Sequence, residues 1–148
     1  MVDRAARDRA SIDIASFANG AITNREFEEG YPTRSCDMAV KRIFDQIWFF
    51  YDDVRTHRLT GDWALSPEDR NLFDRCVRFL RTDLEYPWPD TSFNSFWGLV
   101  RWLPPFKGWL DRRWEQFAAK GDIDAWPFIS AADDTDESGR VVPAGPQG

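Results

Sequence analysis

The residues best suited to chemistry in this chain of 148 residues are few. Its single histidine, His57, follows Asp53 by four positions, the spacing that lets two side chains meet on one face of a helix. A carboxylate beside an imidazole is half of a catalytic dyad or half of a metal site. Asp52 is adjacent, and Asp45 precedes it by two helical turns, so the three acids could gather around a divalent cation. A metal site asks for three or four ligands, and the sequence has no Cys-x-x-Cys, no His-x-x-x-His and no Glu-x-x-His to complete one. Arg55 and Arg58 stand nearby, so ion pairing accounts for the acids. A cation favoured by a helix C-terminus accounts for His57. The Asp52, Asp53 and His57 cluster is thus the alternative reading, a small enzyme or divalent-metal-binding protein, and no metal or cofactor is expected.

Cys36 and Cys76 could act as nucleophiles only beside a base, and one histidine leaves little choice. Both are expected to be buried thiols behaving as small hydrophobes. The sequence contains no Gly-x-Ser-x-Gly elbow, no phosphate-cradling loop and no glycine-rich dinucleotide fingerprint. Catalytic residues are therefore scarce, and binding becomes the leading class of function.

Binding residues are plentiful by contrast. Trp97, Trp102, Trp109 and Trp114 alternate with Arg101, Lys107, Arg112 and Arg113 around Pro104-Pro105. Core packing explains much of this aromatic surface. Trp and Arg are also the residues enriched at interface hot spots, which makes Trp102, Trp109, Arg112 and Arg113 the candidate partner-binding set. A peripheral membrane protein using residues 93–117 is a third reading, but a membrane surface calls for a stronger basic excess than the net +3 of residues 93–120.

Helices must position all of these residues. A periodic segment from Asp3 to Asn19 ends in Asn19-Gly20, a pair suited to a helix stop. Thr23-Asn24-Arg25-Glu26 fits a capping box opening a short helix that Gly30-Tyr31-Pro32 closes. The second main helix is expected from Ser35 to His57, apolar nearly all round at Ile43, Phe44, Ile47, Trp48, Phe49 and Phe50, as a central helix would be. Ser66-Pro67-Glu68-Asp69 supplies an N-cap, a proline at the first helical position and acids against the helix dipole. The helix it opens buries Leu72, Phe73, Cys76, Val77 and Leu80, with Arg75 and Arg78 pointing more outward. Leu84 to Pro89 makes a rigid corner, followed by helices over 91–103 and 106–120. From residue 131 the composition turns to acids, glycine and proline, as expected of a disordered acidic tail.

These elements predict an all-α fold, a compact bundle of four to five helices with a central aromatic helix, in one domain over 1–130 with a tail over 131–148. Aromatic residues make up 16% of the chain, and the formal net charge is -6. That charge divides as -4 over 1–92, +3 over 93–120 and -5 over 121–148. An acidic whole argues against nucleic acid as partner, because phosphate neutralisation needs a dominant basic face. Mean hydropathy of -0.54 and the absence of a long apolar run lead to the expectation of a cytoplasmic protein. The expected function is a non-enzymatic protein-binding module, in its most specific form a bacterial immunity or antitoxin-like inhibitor of a basic partner protein.

Overall fold

A computed structural model describes residues 1–32, 35–88, 115 and 119–134. Its ordered elements are helices α1 (Arg4–Ala18), α2 (Asn24–Glu29), α3 (Met38–Ile47) and α4 (Pro67–Leu80), with 3-10 turns at Trp48–Phe50, Gly61–Trp63 and Ile123–Ala125. The fold is all-α, and no strand occurs among the described residues.

Local chemistry sets the helix ends. Asp3 caps α1 by accepting from the Ala6 N–H, and Gly20, with φ of +67°, carries the chain out of the helix just past Asn19. Thr23 and Glu26 form the reciprocal capping box of α2. Ser66 caps α4 at the Asp69 N–H, with Pro67 at the first position and Glu68 and Asp69 in the first turn. Ser11-Ile12-Asp13-Ile14-Ala15 alternates polar and apolar as a strand would, yet it is helical. Ser11 and Ile14 lie on the buried stripe that also includes Arg7, Ala10, Phe17 and Ala18, whereas Ile12 faces solvent.

Among the described residues the most extensive helix pairing is α1 against α4. Across it, Ile14 and Phe17 of α1 share a core with Phe73, Cys76, Val77, Phe79 and Leu80 of α4. A ladder of rings ties in the other helices. Phe17 stacks on Phe27 at 4.7 Å, Phe27 stacks on Phe44 at 4.9 Å, and the Tyr31 ring meets Phe44 edge-on at 5.6 Å. Burial of each phenylalanine contributes about 1.5–3 kcal/mol, and each ring pair about 0.5–1.5 kcal/mol more. Six-residue α2 is too short to persist alone, and its Phe27, inserted between two other rings, holds it in place.

A buried ion pair locks the N-terminal half. Arg7, fully buried, donates from Nε to Asp37 Oδ2 at 2.7 Å and also reaches the carbonyls of Thr82 and Leu84 at 2.8 and 2.9 Å. Asp37 is also the N-cap of α3 and accepts from the Asp3 and Ala39 N–H groups. One pair therefore joins the start of α1, the start of α3 and the chain leaving α4.

The C-terminal described segment packs against α4. Trp88 Nε1 donates to the Pro127 and Phe128 carbonyls, and Phe128 meets Phe79 edge-on at 5.1 Å. Arg75, expected to point outward, donates to the Trp126 carbonyl. Arg78, expected likewise, forms a bidentate pair with Asp134 at 2.7 Å for both bonds. Asp134 falls in the segment read as tail, yet its side chain is buried, although residues 131–133 before it are exposed. Residues 135–148 lie outside the described residues, as do the helices expected at 91–103 and most of 106–120.

Candidate functional site

The helix expected from Ser35 to His57 is shorter at both ends. It begins at Met38, runs to Ile47 and tightens into a 3-10 turn that stops at Phe50, and Tyr51 is extended with ψ of 142°. The cause lies in Asp52, whose Oδ1 accepts from the Val54 and Arg55 N–H groups at 2.7 and 3.1 Å. This carboxylate captures donors that a continuing helix would have turned back on itself. Acids at a helix C-terminus oppose the dipole as well, and the aromatic run before them has modest helix propensity.

The departing loop is pinned to α2 by one buried side chain. Asn24 donates from Nδ2 to the Asp52 and Arg55 carbonyls at 2.8 and 3.0 Å, and its Oδ1 accepts from the His57 N–H at 2.9 Å. Its backbone N–H adds a bond to the His57 carbonyl. Further along, Arg58 holds the carbonyls of Gly20 and Ala21 beside the end of α1. Sequence reasoning saw Asn24 only as part of a capping box. A buried Asn at the first helical position, able to satisfy donors and acceptors of another strand of chain, is the feature it missed.

His57 accordingly does not sit at a helix C-terminus and does not pair with Asp53. Its Nδ1 lies 3.2 Å from the Arg55 carbonyl, which makes Nδ1 the donor. The ring stacks on Trp63 at 4.2 Å and 24°. His57 is only 7% exposed, and its Nε2 is buried with no hydrogen-bond partner. Asp45 is engaged elsewhere, accepting from the Tyr31 hydroxyl and from Arg42. Among the described residues, no group of three or more His, Cys, Asp or Glu side chains is placed to hold a metal ion. The Asp52, Asp53 and His57 cluster read from the sequence is thus a folded loop in which backbone bonds engage the Asp52 carboxylate.

What the loop does create is an open apolar cleft of about 530 Å³. Phe49, Val54, Leu59 and Trp63 line it together with Asp52 and Asp53. Phe49 is 82% exposed, Val54 87% and Trp63 42%, values far above those of the core residues one turn away. Phe49 was expected in the all-round apolar face of a central helix. The helix end at Phe50 turns it outward instead.

The two thiols differ. Cys76 is buried in α4, where burial pushes its pKa up, whereas Cys36 is exposed just before the α3 cap, contrary to the expectation of two buried thiols. Trp102, Trp109, Arg112 and Arg113 lie outside the described residues. No helix among the described residues is long and apolar enough to cross a membrane. No protein-family model matches the chain, no curated protein matches it, and no solved structure matches it.

Proposed function

We propose that this chain is a non-enzymatic protein-binding module acting in the cytoplasm, with the cleft between Phe49, Val54 and Trp63 as a contact face. The observation that carries the reading is the exposure of three large apolar side chains around one cleft. Isolated exposed hydrophobes are ordinary, but a contiguous set rimmed by polar groups is the mark of an interaction site. The chain around it is stiffened by Asn24 and Arg58, so the face is already formed before a partner arrives, which lowers the entropy lost on binding. Net charge of -6 favours a basic partner and fast encounter with it, which fits an immunity or antitoxin-like inhibitor as the specific form.

The test is a pull-down from source cells with three forms of the full chain: intact, Phe49→Ser with Val54→Ser, and Trp109→Ala with Arg112→Ala. Circular dichroism confirms that each is folded. A stoichiometric protein retained by the intact chain and lost from the 49/54 variant is the expected result. Loss confined to the Trp109 and Arg112 variant would move the face to 93–117. Identical recovery from all three forms, or none from any, refutes the reading.

A further inference from the structure

We infer that the cleft beside Trp63 receives a partner segment in which an apolar side chain is flanked by arginine or lysine. This rests on the reading of the chain as a protein-binding module and names the chemistry of what the cleft holds. Two of the cleft-lining residues, Asp52 and Asp53, are acids, and none is Lys or Arg. The N–H groups of Val54 and Arg55 hold the Asp52 carboxyl below the usual carboxylate range, so it is ionised at neutral pH. Asp62, exposed, is the chain neighbour of Trp63.

Arg55 attracts Asp52 through space, whereas the other nearby arginines are engaged elsewhere. Arg25 donates to the Tyr51 hydroxyl and the Asp53 carbonyl and lies 3.5 Å from Glu28. Arg58 binds the Gly20 and Ala21 carbonyls and sits 3.8 Å from Glu26. Arg55 is exposed on the same loop but does not line the cleft. An apolar floor with an acidic rim rewards a hydrophobic anchor between cations and repels one between acids. The same rim disfavours two obvious competitors. A second copy docked face to face would bring two acidic rims together, and an anionic lipid surface would meet like charge.

The experiment places benzoylphenylalanine, a photo-crosslinking amino acid, at position 49 of the full chain and irradiates it in source cells. Mass spectrometry then maps the attached peptide. The expected product is a segment of another protein with an apolar residue between basic ones. A synthetic peptide of that segment should bind the purified chain, and Asp53→Arg with Asp62→Arg should weaken it about tenfold at low salt, with the difference shrinking as salt rises. Both positions are exposed, so the variant keeps its fold. Attachment to a neutral or acidic segment overturns the inference while leaving the binding module standing. Attachment to a second copy, to lipid, or to residues 93–117 of the same chain overturns it as well. If no protein is attached and the pull-down is also empty, the inference and the reading beneath it fall together.

Discussion

The buried pair Arg7 and Asp37 gives the sharpest test of how this fold is held. Side-chain exposure is 0% for Arg7 and 2% for Asp37, and together they make hydrogen bonds to three separate parts of the chain. Removing the carboxylate in Asp37→Ala leaves a guanidinium with carbonyl acceptors but no counter-charge, a loss of about 3–5 kcal/mol. The vanished α3 cap adds about 1 kcal/mol. Against a total stability of about 5–15 kcal/mol, such a variant is close to unfolded. The gentler Asp37→Asn and Arg7→Met variants should each lose about 3 kcal/mol, and their double mutant about 2–3 kcal/mol less than the sum, because each single change strands the other partner. Urea unfolding followed by tryptophan fluorescence measures all three. Acid supplies an independent check. Burial by itself would raise the Asp37 carboxyl, but Arg7 and the Asp3 and Ala39 N–H groups outweigh burial and hold it below the usual carboxylate range. Its contribution is therefore complete above the unfolded value near pH 4 and is lost as pH falls through the lower folded value. Asp37→Asn should flatten that acid limb. Single variants losing less than about 1 kcal/mol, or adding without coupling, would refute the account.

Asn24→Ala should lose about 2–3 kcal/mol and speed amide exchange at Val54 to His57, leaving α1 and α4 protected, since it removes a fully buried side chain that makes three bonds to the loop. Unchanged loop exchange would count against its clamping role. In the native protein a thiol reagent should modify Cys36 quickly and reach Cys76 only on unfolding, where Cys76 is exposed and its burial-raised pKa relaxes. Two equally fast thiols would contradict the packing of α4. Asp134→Asn, which weakens the paired contact to Arg78, should lower stability by about 1–2 kcal/mol and open the segment beyond Gly121 to limited proteolysis, and a digestion pattern like that of the intact chain would show that Trp88 and Phe128 alone secure it.

Much of the helical frame was legible because its signals are local. The Asp3 to Asn19 segment, the capping box at Thr23 and the proline start at Pro67 each depend on residues within four positions, and each matches the structure to within a residue or two. The partners of charged side chains were not legible. Arg75 and Arg78 read as part of an outward-facing charged face and Arg7 drew no reading, since nothing near them in sequence announces the Trp126 carbonyl, Asp134 or Asp37. Those bonds span between 30 and 56 residues, and only the assembled core brings them together.

The face proposed here owes its existence to the place where periodicity misled. Extending the helix from Ser35 to His57 followed the apolar spacing at Ile43, Ile47, Phe50 and Val54, which continues without a break. Yet a helix continued past Phe50 would have placed Asp52 and Asp53 in its last turns, against the dipole, and left the exposed Val54 on its buried stripe. Asp52 resolves the conflict by capturing two N–H groups of its own loop, and Asn24 satisfies the carbonyls thereby released. Phe49 and Val54, apolar for the sake of no core, then face outward beside Trp63. An apolar pattern that outlasts its helix leaves side chains with no core to pack, so it is at this loop that a partner should be sought.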